Sequence, residues 1–236
     1  KVVAADGSVH EAQPTSIAYD EGRMLYSLIC ENDFRHILEV GMAFGLSSLF
    51  MCDALSENGG GRLTSIDPYQ HESFSGIGLS NLERAGFAHM HSFLKAPSYL
   101  ELPRLLAEGQ RFDLVFIDGN HRYEYTLLDF FYAFRMLNVK GRIVMHDPWM
   151  PSIKKAVAFF CRNYSHCVAV DPKYTAPRAF GRAVRAFIGN LRRAPYDLYS
   201  AYHFAKTQYP NYVVFQKQSE CSPQDFDNAW DFYRSF

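Results

Sequence analysis

Four short stretches of the chain carry the residues that could do chemistry. The first, EVGMAFGLSS, runs from Glu39 to Ser48. Gly41 and Gly45 let the backbone turn sharply and approach a ligand, and the helix that follows points its N-terminal amides at the same place. The spacing is G-x-x-x-G, with Ala43 at its centre, whereas a dinucleotide site wants G-x-G-x-x-G. Glu39 would repel a pyrophosphate but would suit a ligand carrying an amino group and a sulfonium. The second is Asp67 in SIDPYQ, placed to accept both hydroxyls of a ribose. The third and fourth are FDLVFIDGNH, with Asp118 and His121, and RIVMHD, with His146 and Asp147. Each stretch alone has a plainer reading: a packing turn, a helix cap before Pro68 or Pro148, a satisfied surface histidine.

These residues gain meaning from the elements that must hold them. HILEV (36–40), RLTSID (62–67), His89 to Leu94, FDLVFID (112–118), RIVMHD (142–147) and His166 to Val170 read as strands, mostly short apolar runs of the kind buried in parallel sheets. Helical patterns separate them over Leu46–Ser56, Ile77–Ala85, Tyr99–Ala107, Tyr125–Leu137 and Ile153–Cys161. This alternation predicts an α/β, Rossmann-like, doubly wound sheet with helices on both faces. With Asn211 to Lys217 as a last strand, the count is about seven. Ligands of such sheets sit beyond the carboxyl ends of the strands, and there the carboxylates fall.

Outside this core the chain reads as a lead-in over residues 1–33, polar and irregular to residue 14 and helical from Ser16 to Cys30. A segment over 171–210 breaks the rhythm. From Lys173 to Arg193 it carries six basic residues and no acid, and Phe180, Ala183, Val184, Phe187 and Leu191 recur at helical spacing. It reads equally as a lid and as a packed interface. Pro223 to Phe236 is expected to be a terminal helix. The whole chain, 1–236, is read as one domain.

Composition narrows the function. Net charge is −1, so nucleic acid is not an expected partner. No apolar run reaches the roughly 20 residues that span a bilayer. No signal peptide is legible at the start. The five cysteines are scattered with no CxxC pair, so reduced cytoplasmic thiols are expected in place of a zinc site or disulfide framework.

EVGMAFGLSS followed by SIDPYQ resembles the first two motifs of class I S-adenosylmethionine-dependent methyltransferases. FDLVFIDGNHRYEYTLLDF and GRIVMHDPWMPSI resemble the later motifs of a subgroup containing catechol-type and sugar O-methyltransferases. The resemblance covers roughly Thr15 to Tyr164 and implies a last strand that is antiparallel. It also implies a cofactor site. Glu39, Gly41, Ala43 and Gly45 would surround the methionine end, with Ser47 near its carboxylate. Asp67 would hold the ribose. Pro68 and Ser98 would meet the adenine, and Asp118 would close the floor.

The resemblance further implies a divalent metal at Asp118, His146 and Asp147, and His121 as general base. Oxygen donors favour Mg²⁺, and an imidazole shifts preference toward Mn²⁺, Fe²⁺ or Zn²⁺. The His-Asp pair stands where the subgroup has two acids, so metal use is left open. A histidine base suits a hydroxyl that must lose its proton as it attacks the methyl carbon. The expected reaction is methyl transfer to a small-molecule hydroxyl. Three rivals stay in view: a metal-independent enzyme acting on nitrogen or a carboxylate, a non-catalytic cofactor-binding protein, and an NAD-dependent oxidoreductase, disfavoured by the loop spacing. Pairing of two copies through surface helices is an open expectation.

Overall fold

The computed structural model describes residues 1–4, 6–165, 167–175 and 211–220. The lead-in is not helical throughout. β1 (Val2–Val3) and β2 (Val9–His10) pair as a small antiparallel hairpin before α1 (Tyr19–Asn32) begins. Two-residue strands carry no periodicity, which is why the sequence reads as irregular there.

The central sheet is built as the apolar runs require. Its strands are β3 (His36–Val40), β4 (Arg62–Ile66), β5 (His91–Leu94), β6 (Phe112–Ile117), β7 (Leu137–His146), β8 (Val168–Val170) and β9 (Tyr212–Lys217). The spatial order is β5-β4-β3-β6-β7-β9-β8. The pairs from β5 through β7 are parallel, and β9 runs antiparallel to both β7 and β8. β7 starts at Leu137, earlier than the expected Arg142, because the chain leaves the preceding helix directly into extended backbone. An irregularity in the register with β6 falls between Phe112 and Leu114.

The intervening helices are α2 (Leu46–Glu57), α3 (Ile77–Arg84), α4 (Ser98–Ala107), α5 (Tyr123–Met136), α6 (Pro151–Asn163) and the short α7 (Pro172–Thr175). Strand side chains alternate between the two faces. Leu114 and Phe116 of β6 join a core with Leu25, Leu28 and Ile29 of α1 and Met51 and Leu55 of α2. Val115 and Ile117 face the other core, with Leu102 of α4, Phe130 and Phe134 of α5, and Phe160 of α6. Both faces are therefore covered, and ligands are left the sheet's carboxyl edge. The strand order reverses between β3 and β6, so the crevice opens there.

Two expectations about the ends lie outside the described residues: the basic, aromatic stretch beyond Thr175 and the terminal helix from Pro223. At the start of that stretch, Lys173 Nζ pairs with Glu31 Oε2 of α1 at 2.6 Å, and the Tyr174 hydroxyl donates to the same oxygen. Cys30, Cys52 and Cys161 are free thiols. Cys167 is disulfide-bonded, which corrects the expectation of uniformly reduced thiols. Among the described residues, no helix is long and apolar enough to cross a membrane.

Candidate active site

The loop after β3 opens the site. Gly41 has φ +89°, and a Cβ there would lie 2.3 Å from the Asp118 carbonyl oxygen. Only glycine lets the two strand ends approach this closely. Asp67 fixes the rest of the loop. Its Oδ2 accepts from the backbone N–H of Met42 (3.1 Å) and Ala43 (2.9 Å), and its Oδ1 accepts from Tyr69 N–H (2.8 Å). A carboxylate offers about four acceptor positions, so Asp67 keeps one for a ligand hydroxyl.

Glu39 sits elsewhere than a ligand contact would need. It is fully buried beneath the loop and does not line the cavity. Its carboxylate accepts from the hydroxyls of Ser47 (2.5 Å), Ser48 (2.6 Å) and Ser65 (2.6 Å). Burial pushes its pKa up to about 7, against the pull of those three hydroxyls. Glu39 thus ties β4 and the start of α2 to β3, and Ser47 Oγ is committed to it. Gly45 is also off the cavity wall: a Cβ there would meet Gly78 Cα at 2.9 Å, so it serves the packing of α2 against α3.

One cavity of about 680 Å³ runs along the carboxyl edge. Gly41, Ala43, Ser47, Asp67, Pro68 and Ser98 line one part of it, and Asp118, His121, His146 and Asp147 line the other. That volume is in the range that holds a cofactor with a small substrate. Ser98 is the first residue of α4, after Pro97 as its cap.

At the far end, the groups from β6, β7 and the loop after β6 converge. His121 Nε2 lies 3.1 Å from Asp147 Oδ2 and 3.4 Å from Asp118 Oδ1, yet it is aligned for a hydrogen bond with neither. One donor atom each from Asp118, His121 and Asp147 lie within 4.8 Å of one another. Burial works to lower the His121 pKa, but the two carboxylates outweigh it and hold it at about 9. Asp147 is pulled well below the usual carboxylate range: burial would raise it, and His121, His146 and Trp149 prevail. The geometry favours positive charge between the carboxylates. Asp147 has φ +53°, a left-handed conformation that few non-glycine residues adopt, and it lines the cavity.

His146 occupies a different place. Its side chain is 5% exposed, against 36% for His121. Nδ1 bonds Asp118 Oδ1 at 3.0 Å, and Nε2 faces Asn211 Nδ2 at 3.2 Å and Glu21 Oε2 at 3.5 Å. It stands behind the cluster and is not part of the group of three converging donors.

The sequence and fold of this chain have clear relatives. A family model described as a methyltransferase domain matches residues 38–148. Caffeoyl-CoA O-methyltransferase 2 of Petunia hybrida is 31% identical over 168 residues, covering 65% of this chain and 67% of that protein. The chain belongs to the class I S-adenosylmethionine-dependent O-methyltransferases. Catechol O-methyltransferase of Niastella koreensis is 28% identical over 149 residues, 62% of this chain and 64% of its own length. Two solved structures share the fold. An O-methyltransferase from Bacillus cereus in complex with S-adenosylhomocysteine aligns with TM-score 0.63 at 16% identity, covering 86% and 83% of the two chains. An O-methyltransferase from Streptomyces achromogenes involved in tomaymycin synthesis, in complex with S-adenosylmethionine, aligns with TM-score 0.62 at 20% identity, covering 88% and 83%.

Three further residues brace this methyltransferase's site. Trp149 Nε1 donates to Asp147 Oδ1 at 2.8 Å. Asn211, at the mouth of β9, donates through its side-chain amide to the same oxygen at 2.7 Å, and its backbone carbonyl accepts the Asp147 N–H. Glu21 arrives from α1. A pattern of catalytic motifs could not have found Asn211 or Glu21, because only the sheet order brings β9 and α1 to β7. Ser152 Oγ donates to the His121 carbonyl at 2.6 Å and fixes the loop that carries the imidazole.

Proposed function

We propose that the chain moves the methyl group of S-adenosylmethionine onto one of two neighbouring hydroxyls of a small ring compound, at a centre formed by Asp118, His121 and Asp147. One observation carries this reading. Three donor atoms converge within 4.8 Å of one another at the end of the same cavity that receives the Gly41 loop, Asp67 and Ser98.

The donor set fits a divalent cation. Two carboxylates and one imidazole leave the remaining positions to substrate oxygens, a mixed set that suits Mn²⁺, Fe²⁺ or Zn²⁺ better than Mg²⁺. The unaligned His121 Nε2 is the orphaned group such an ion would satisfy. The expected ligand set of Asp118, His146 and Asp147 is therefore revised: His121 replaces His146, whose ring nitrogens face Asp118, Asn211 and Glu21. When bound, the ion supplies Lewis acidity that lowers the pKa of a coordinated hydroxyl.

The chain's own residues supply position. The Asp67 carboxylate receives the ribose, and Ser98 and Pro68 border the adenine. The Gly41 loop brings the sulfonium end against the Asp118 strand end. The apolar wall of Ile17, Phe44 and Met150 keeps water from the transfer, where attack by oxygen neutralises the sulfonium charge.

A second reading keeps His121 as the general base, favoured by its place on the cavity wall. Methylation of a vicinal diol, measured before and after chelation, separates the two. Loss of turnover with EDTA and recovery with Mn²⁺ is expected. Full turnover in chelator, abolished by His121→Ala, would replace the metal reading with the base.

A further inference from the structure

Glu21 has the outward marks of a helix cap. It is the third residue of α1, and its carboxylate accepts from the Ala18 N–H at 2.5 Å. The cap is only half of a capping box, because Ala18 has no side-chain oxygen to return the bond. A capping glutamate loses little by staying in water. This one is 7% exposed, and burying a carboxylate is costly unless it is paired. The same oxygen that caps α1 lies 3.5 Å from His146 Nε2.

The opposite nitrogen of that ring bonds Asp118 Oδ1, so the ring is a rigid spacer between α1 and the acceptor centre. Asn211 adds the other constraint. Its amide donates to Asp147 Oδ1 at 2.7 Å, and the same nitrogen packs 3.2 Å from His146 Nε2. Phe116 packs edge-on against the imidazole at 5.9 Å, leaving the ring little freedom to rotate.

We propose that Glu21 is a positioning residue for methyl transfer: through His146 it holds the Asp118 carboxylate in its orientation toward His121. The inference rests on the acceptor-centre reading above. It also gives the N-terminal segment a part in the reaction. Pro14, Thr15, Ser16 and Ile17 line the cavity just ahead of α1, and Glu21 links their placement to the centre. Groups that orient ligands in this way change metal affinity or activity by about 10–100-fold when removed.

The test uses Glu21→Gln, which keeps an oxygen for the Ala18 N–H, with Glu21→Asp as the second variant and Glu83→Gln as an exposed control. Ring nitrogen signals of metal-free, ¹⁵N-histidine-labelled protein are recorded, with those of His146 assigned by their loss in His146→Asn. Mn²⁺ affinity is read by electron paramagnetic resonance. Glu21→Gln should shift the His146 signals and weaken Mn²⁺ binding about tenfold or more. Its thermal midpoint and its KM for S-adenosylmethionine should stay near those of the parent. Unmoved His146 signals and unchanged Mn²⁺ affinity in both Glu21 variants would reduce the residue to a cap and overturn the inference. A parent protein that binds no Mn²⁺ would sink the metal reading by itself. The His146 signals would then decide on Glu21 alone, an unshifted set overturning it.

Discussion

Replacing Gly41 by alanine adds one carbon, and the structure says where it must go. The new Cβ would stand 2.3 Å from the Asp118 carbonyl oxygen, 2.7 Å from its carbon and 2.8 Å from Gly119 Cα. All three are backbone atoms, so no side chain can swing aside. Reaching even 3.0 Å requires a displacement of about 0.7 Å between the ends of β3 and β6. The positive φ adds strain of about 1–2 kcal/mol for a residue with a Cβ. A shift near 1 Å in a reacting constellation costs about 100-fold in rate, and Asp118 sits on the strand end that moves. Gly41→Ala should therefore lower kcat on any accepted diol by about two orders of magnitude and weaken S-adenosylhomocysteine binding measured by calorimetry. Gly109→Ala is the control. Its φ of +74° carries the same kind of strain, but nothing lies within 4 Å of the added carbon. It should lose about 1–2 kcal/mol of stability and no activity. Equal kcat in Gly41→Ala and the parent would refute the argument that this contact sets the site.

Two further outcomes follow from the same geometry. Asp67→Ala removes an acceptor shared by three backbone donors, and hydrogen bonds to a charged group are worth about 1.5–3 kcal/mol each. Calorimetry should find S-adenosylhomocysteine bound about 10–100-fold more weakly, and an unchanged affinity would remove Asp67 from the cofactor site. Asp129, on α5, is 1% exposed and has no hydrogen bond of normal geometry; burial raises its pKa to about 7, and the Ser98 hydroxyl offsets only part of this. The folded chain keeps this proton while the unfolded chain releases it near pH 3.8. Stability is thereby lost as pH rises from about 4 to 7, up to roughly 4 kcal/mol at about 1.36 kcal/mol per unit. Asparagine cannot ionise, so Asp129→Asn should melt above the parent at pH 8 by calorimetry, with the gap shrinking toward pH 5. A gap that does not depend on pH would contradict the burial argument.

The sheet was legible because a strand covered on both faces must be apolar along its length. His36–Val40 appears in the structure with the same bounds that its sequence suggests, and the apolar part of FDLVFID forms β6. The carboxylates that close the runs, Asp67, Asp118 and Asp147, were readable for the same reason: a charge directly after an apolar run marks the end of the strand. Leu137 to Lys140 was not readable as strand. That stretch mixes polar with apolar residues, and Gly141 looks like a break. In place it packs tightly, where a Cβ on Gly141 would meet the Asp113 carbonyl at 2.7 Å. Glu39 shows the limit from the other side. Its position in the motif suggested a ligand contact, but three serine hydroxyls, one of them on the neighbouring strand, hold it beneath the loop. Such satisfaction of a buried group is a tertiary fact with no local signature.

The two histidines sharpen this point. In sequence both accompany an aspartate that closes an apolar run: His146 directly precedes Asp147, and His121 follows Asp118 by three residues. A group that binds an ion or moves a proton must offer a nitrogen to the cavity. His146 is the last residue of β7 and inherits the burial of the strand, so its nitrogens face Asp118, Asn211 and Glu21. His121 lies three residues past Asp118, in a loop held by Ser152, and its Nε2 is left between two carboxylates without an aligned partner. What separates the roles is thus distance past the strand end, not residue type. On the proposed reading, the residue inside the strand is a support, and the one carried just beyond it is the group turned to the cavity. Exchanging the two roles would require turning the His146 ring away from Asp118 against Phe116, taking the imidazole from the buried carboxylates of Asp118 and Glu21, a change whose cost exceeds that of losing any single neutral hydrogen bond.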